Sequence, residues 1–175
     1  MEIFEEVGES LRYFVALPNG YRSERNYPLL ILLHGFGANM ADLVPLAGSI
    51  NQDGYIYVFP NAPTGFRMGT GESGYGWIPP VGMGREPEHV IRSTELVENF
   101  FDEVTEKFHI LPGNSALIGF SQGGEMAYRC GLNNPGKFSG LAALCSTNPT
   151  PEELSPLLPD VREQSIFIAE GFEDP

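Results

Sequence analysis

Ser121 stands in Gly119-Phe120-Ser121-Gln122-Gly123-Gly124, between an apolar run that ends at Ile118 and an amphipathic stretch that opens at Gln122. A G-x-S-x-G turn between a strand and a helix is a nucleophile elbow: glycines leave room for the neighbouring backbones while the serine hydroxyl is pushed into a cleft. The chemistry is acyl transfer. It raises an oxyanion on the substrate carbonyl, a charge best met by fixed backbone N–H groups aimed at where it develops. A second motif, His34-Gly35-Phe36-Gly37, follows an apolar run at residues 29–33 and can supply one such donor. The other comes from the residue after the serine, Gln122. Either motif alone reads as a plain glycine turn; together they describe a hydrolytic site.

A serine hydroxyl needs a base at neutral pH, and the chain holds three histidines. His34 lies inside the oxyanion turn, where bonding to its own loop is the expected role. His109 follows a long helical stretch and precedes a strand, at the sheet end opposite the elbow. His89 opens that helix on the elbow side, where the helix N-terminus keeps its ring neutral, as suits a base. His34 and His89 remain the internal alternatives.

The elements that must position these groups alternate. Strand-like runs at residues 11–17, 29–33, 55–59, 115–119, 140–145 and 165–169 are separated by helical stretches, and several are solid apolar runs, as strands buried on both faces are. Val90, Thr94, Val97, Phe101, Val104 and Phe108 recur at steps of three and four, which predicts a helix closed by Pro112-Gly113. A second helix runs from Gln122 toward Leu132, and Thr150-Pro151-Glu152-Glu153 is a capping box that starts a third. The expected fold class is α/β, a mainly parallel sheet with helices on both faces, in one domain over residues 1–175. Residues 61–87, rich in glycine and proline and carrying Phe66, Met68, Tyr75 and Trp77, read as a long packed loop flanking the cleft.

Composition narrows the partners. With 175 residues, 42% hydrophobic and 11% aromatic, the chain suits a globular domain with a real core. A net charge of −13 and only two lysines, Lys107 and Lys137, argue against nucleic acid and anionic membrane surfaces. Residues 1–6 show no basic and apolar leader, and no window reaches the roughly 20 apolar residues of a membrane helix, so the expectation is a cytoplasmic protein. Cys130 and Cys145 read as buried thiols away from zinc-ligand spacing. No metal or organic cofactor is implied, since the serine mechanism needs none.

At the level of motifs, the set Leu33-His34-Gly35-Phe36-Gly37, Phe59-Pro60-Asn61-Ala62-Pro63, Gly76-Trp77, Gly119 to Gly124 and Gly171-Phe172-Glu173-Asp174-Pro175 resembles the phospholipase/carboxylesterase family of α/β-hydrolases, the branch with acyl-protein thioesterases. That resemblance implies Ser121 as nucleophile, Asp174 as triad acid, Phe36 and Gln122 as oxyanion donors, and Trp77 in the loop bordering a substrate's acyl pocket. It also implies a base histidine one strand further on. This sequence departs there: Glu170 precedes Gly171 and Pro175 follows Asp174 directly, so the fold is expected to lack the last strand and helix.

Three readings follow: a C-terminally truncated esterase, a short protein whose base comes from a neighbouring subunit, or a non-catalytic hydrolase-fold binding module. The first two make it a serine carboxylesterase acting on short to medium acyl esters through a Ser121 acyl-enzyme, weak for want of a triad histidine, with a thioesterase as the alternative enzyme. A small-molecule ester is the expected ligand. Residues 165–169, as an uncovered edge strand, predict a homo-oligomer.

Overall fold

Unbroken apolar runs form the middle of the molecule because parallel strands are covered on both faces. The computed structural model describes residues 1–67, 69, 71, 73–80, 82–155, 158 and 164–172. Seven strands share one sheet in the order β1 (Glu2–Val7), β2 (Arg12–Leu17), β4 (Ile56–Pro60), β3 (Tyr27–Leu33), β7 (Ile110–Phe120), β8 (Gly140–Leu144), β9 (Ser165–Ala169). The first two pairings, β1 with β2 and β2 with β4, are antiparallel, and the rest are parallel. This is the mainly parallel α/β sheet expected from the alternation of runs.

Helices cover both faces. The long α2 (Pro87–Lys107) and α3 (Gln122–Asn133) send Val97, Phe100, Val104, Met126 and Cys130 against Leu29, Ile31, Leu33 and Val58 in the main core. On the other face, Ala47 of α1 (Val44–Ile50) packs with Leu32, Tyr57 and Phe59. Pro87 occupies the first turn of α2, where its missing N–H costs nothing. At α4 (Pro151–Leu154), Thr150 accepts from the Glu153 N–H while Glu153 accepts from the Thr150 N–H, the capping box read from the sequence.

Four elements carried no clear signal. β1 has acidic residues at half its positions, α1 is short, and residues 61–87 contain an antiparallel hairpin, β5 (Thr64–Arg67) with β6 (Ser73–Gly76), rather than loop alone. Its pairs set glycine opposite aromatic, Gly65 with Tyr75 and Phe66 with Gly74, a match that only pairing reveals. Pro112-Gly113 falls inside β7, where Gly113 has φ 71° and the register against β3 shifts between Tyr27 and Leu29. α2 has already ended at Lys107, so the breaker makes a bulge within β7 and is not the helix stop that the sequence suggested.

Candidate active site

Strand β7 runs up the centre of the sheet and α3 starts one residue beyond it, so Ser121 sits at the corner between them. Its φ of 52° and ψ of −118° lie where non-glycine residues rarely go, a strain the surrounding glycines permit. A Cβ on Gly119 would collide with the Gly123 backbone, and one on Gly123 with the Leu33 carbonyl. One on Gly124 would strike the Ser146 side chain. The close crossing of β7, α3 and β3 therefore demands glycine at each flank of the serine. Ser121 is half-buried, with its N–H donating to the Leu144 carbonyl at 2.9 Å.

The turn after β3 meets this corner. A Cβ on Gly35 would lie 3.3 Å from the Ser121 Cβ and 3.3 Å from the Phe120 ring, so His34-Gly35-Phe36-Gly37 and the elbow are in contact. Among the described residues, neither the Phe36 N–H nor the Gln122 N–H has an assigned acceptor. Gln122 is the first residue of α3, whose N-terminal amides have no intrahelical partner and carry the positive end of the helix dipole. The Phe36 and Gln122 amides thus belong to the two segments that meet at Ser121.

Each histidine has a definite role. His34 is 1% exposed; its Nε2 accepts from the Ala62 N–H at 3.0 Å, which leaves Nδ1 to carry the proton and donate to the Gly35 carbonyl at 2.8 Å. Burial pushes its pKa down, against the smaller opposing pull of that carbonyl. It is a structural brace of the turn and has no nitrogen left to serve as a base. His89 is exposed at the start of α2, where Nδ1 accepts from the Glu86 N–H at 3.1 Å and completes a capping box. His109 lies at the foot of β7, the end away from Ser121, and its carbonyl accepts from the Tyr27 N–H. Among the described residues no histidine is hydrogen-bonded to Ser121. Asp174, the expected acid, lies outside the described residues.

Trp77 departs from expectation. It follows β6, but its ring is turned inward and 1% exposed, with Nε1 donating to the His34 carbonyl at 2.9 Å. The ring supports the His34-Gly35-Phe36-Gly37 turn and offers no surface to a substrate. Phe36, 44% exposed and stacked on Phe66 at 4.8 Å, is the aromatic face the site presents.

Other supporting groups gave little sign in the sequence. The buried Gln122 side chain binds the backbone of residues 77 and 78. Asn61 accepts from the Met40 N–H at 3.0 Å and pins the chain that follows the His34-Gly35-Phe36-Gly37 turn. One turn into α3, buried Glu125 pairs with Arg85 and with Arg129, which reaches on to Glu153 at 2.9 Å. The capping bond from the Thr150 N–H, followed by Arg129, holds the Glu153 carboxyl below its ordinary range. Glu125 and Arg129 stand four apart, a spacing visible in the sequence, but it does not tell a buried pair from a solvated one. Among the described residues no cluster of three histidine, cysteine or acidic side chains is placed to hold a metal ion. No helix among them is long and apolar enough to cross a membrane.

Comparison with known proteins bears on the family and the fold. Residues 21–175 match the model of the phospholipase/carboxylesterase family. Acyl-protein thioesterase 1 of Emericella nidulans is 26% identical over 164 residues, covering 83% of this chain and 68% of the relative. The protein of the same name from Mycosarcoma maydis is 28% identical over the same shares. Among solved structures, the Bacillus cereus carboxylesterase aligns with a TM-score of 0.74 at 22% identity, over 94% of this chain and 72% of that one.

Proposed function

Because the chain belongs to the phospholipase/carboxylesterase family of α/β-hydrolases, we propose that it is a serine carboxylesterase acting on short to medium acyl esters through a Ser121 acyl-enzyme. The observation that carries this reading is the strained Ser121 corner, held against the His34-Gly35-Phe36-Gly37 turn with two backbone donors beside it. In the first half-reaction the Ser121 Oγ forms a bond to the acyl carbon as its proton passes to solvent water. The carbonyl oxygen takes the electron pair between the Phe36 and Gln122 N–H groups, and collapse breaks the bond to the alkoxy oxygen, which takes up a proton from solvent and leaves as the alcohol. Water then repeats the attack and releases the acid and the free serine. Oxyanion donors and binding retain roughly 10³ to 10⁴-fold over water even when a triad member is missing.

Thioesters present a carbonyl to the same donors, and the names of the two fungal relatives favour them as the second substrate class. Hydrolysis of p-nitrophenyl acetate and butyrate, the matching thioesters, and labelling by a fluorophosphonate test both together. Ser121→Ala is expected to abolish labelling and every hydrolytic activity. A Ser121→Ala protein as fast as the parent would overturn the assignment.

A further inference from the structure

The two donors come from chain segments far apart in sequence, and one short segment touches both. The Tyr75 carbonyl accepts from the Gly37 N–H at 2.8 Å and the Tyr75 N–H donates to the Ala38 carbonyl at 3.0 Å, so the turn is gripped immediately after Phe36. Two residues later the Gln122 carboxamide closes the other side. Its Oε1 accepts from the Trp77 N–H at 2.8 Å and its Nε2 donates to the Ile78 carbonyl at 2.7 Å. Between the grips lies buried Gly76, where a Cβ would stand 2.8 Å from the Phe36 ring and 3.5 Å from Gln122 Oε1. Gly76 is not among the residues with positive φ, so the position needs space rather than backbone freedom. The segment is itself anchored from below by Ser93, whose hydroxyl donates to the Trp77 carbonyl, and by the Trp77 ring on the His34 carbonyl.

We propose that residues 75–78 form a brace that sets the separation of the two oxyanion donors, with Gly76 and the Gln122 carboxamide as its positioning groups. The inference rests on the Ser121 reading and adds what fixes the geometry of its oxyanion site. Donors act only when aimed at the place where the charge develops, and the brace is the shared ruler against which the Phe36 and Gln122 amides are both placed. A methyl at position 76 lifts the Phe36 ring and with it the Phe36 N–H. An acid at position 122 keeps the backbone donor but sets a carboxylate against the Ile78 carbonyl.

The test measures p-nitrophenyl ester kinetics and the rate of fluorophosphonate labelling on the parent, Gly76→Ala, Phe36→Leu, the Gly76→Ala/Phe36→Leu double variant and Gln122→Glu. A misaimed donor is expected to lower kcat and the labelling rate at least about tenfold in Gly76→Ala, with KM within about threefold. Trimming the ring frees the space, so the double variant is expected to return to the level of Phe36→Leu alone. A merely structural role would lower the unfolding temperature without this split between kcat and KM and without the rescue. Folded Gly76→Ala with parental kcat, or a loss that Phe36→Leu does not relieve, overturns the brace. If Gly76→Ala fails to fold, Gln122→Glu decides by the same split: a fall in kcat supports the brace and parental kcat overturns it. Failure of the Ser121 reading is separate, since it shows as full activity in Ser121→Ala.

Discussion

The two edges of the sheet are built on opposite plans. β1 carries Glu2, Glu5 and Glu6, with Glu5 paired to Arg12 and Glu6 to Lys107, so its outer edge offers charge rather than a template for pairing. β9 reads Ser-Ile-Phe-Ile-Ala, with Ile166 46%, Phe167 61% and Ile168 56% exposed. The same asymmetry recurs around the serine. On the β3 side, His34, Trp77, Gln122 and Asn61 bind the turn with a set of buried hydrogen bonds. On the β8 and β9 side, the ties are the Ser121 N–H on the Leu144 carbonyl, the Cys145 N–H on the Ala169 carbonyl, and a 3.4 Å contact from the Ser146 N–H to Glu170. The β3 half is thus locked by interior contacts, while the other half leans on β9, whose apolar side chains are exposed among the described residues.

The sharpest way to break this comparison is to cut the group that serves both sides. Glu125 holds Arg85, which leads into α2 from the hairpin side, and Arg129, which reaches Glu153 on the β8 side. Glu125→Ala leaves Arg129, 5% exposed, as a buried cation whose remaining partner, Glu153, is 44% exposed. Loss of about 3–5 kcal/mol is expected from denaturant unfolding, the range for removing one partner of a buried pair. A loss under about 1 kcal/mol would place the network at the surface in energetic terms.

A smaller effect sharpens the β3 side alone. The pKa of His34 lies below its ordinary value of 6.5 in the folded protein. The unfolded chain therefore takes up the proton first as the pH falls, so this contribution is whole above about 6.5 and is lost progressively below it. The urea midpoint of the parent is expected to drop between pH 7 and 5.5 by more than that of His34→Gln. Ring titration of His34 at or above 6.5 would contradict the tight turn.

The smallest effect on stability belongs to the bare edge. In a chain of charge −13, the uncharged β9 is where two copies can meet without opposing carboxylates, and we propose that a second copy pairs along it. Light scattering is expected to show self-association that Phe167→Lys returns to monomer, with an unfolding shift within about 0.5 kcal/mol. Monomer across a wide concentration range would remove the pairing.

The central strands were legible because burial on both faces leaves solid apolar runs, and α2 because its apolar stripe keeps helical spacing. β1 was hidden since one face of an edge strand is solvated and acidic, and β5 with β6 because glycine opposite aromatic has meaning only after pairing. The meeting of Ser121 and Gln122 with the turn that holds Phe36 was readable from motifs whose glycines the crossing of β7, α3 and β3 requires. The inward turn of Trp77 was not, because a tryptophan in a glycine-rich loop packs in or out according to what lies beneath it.

The chain's order of residues by itself determined that a serine would stand at a strand-to-helix corner beside a glycine turn, since local sterics allow little else for those spacings. Only the tertiary structure decided what each neighbour does there: His34 spends both ring nitrogens on backbone, and Gln122 grips the segment that also grips Phe36. Those roles depend on contacts between residues tens of positions apart, and contact at that range is a property of the packed sheet rather than of any local stretch.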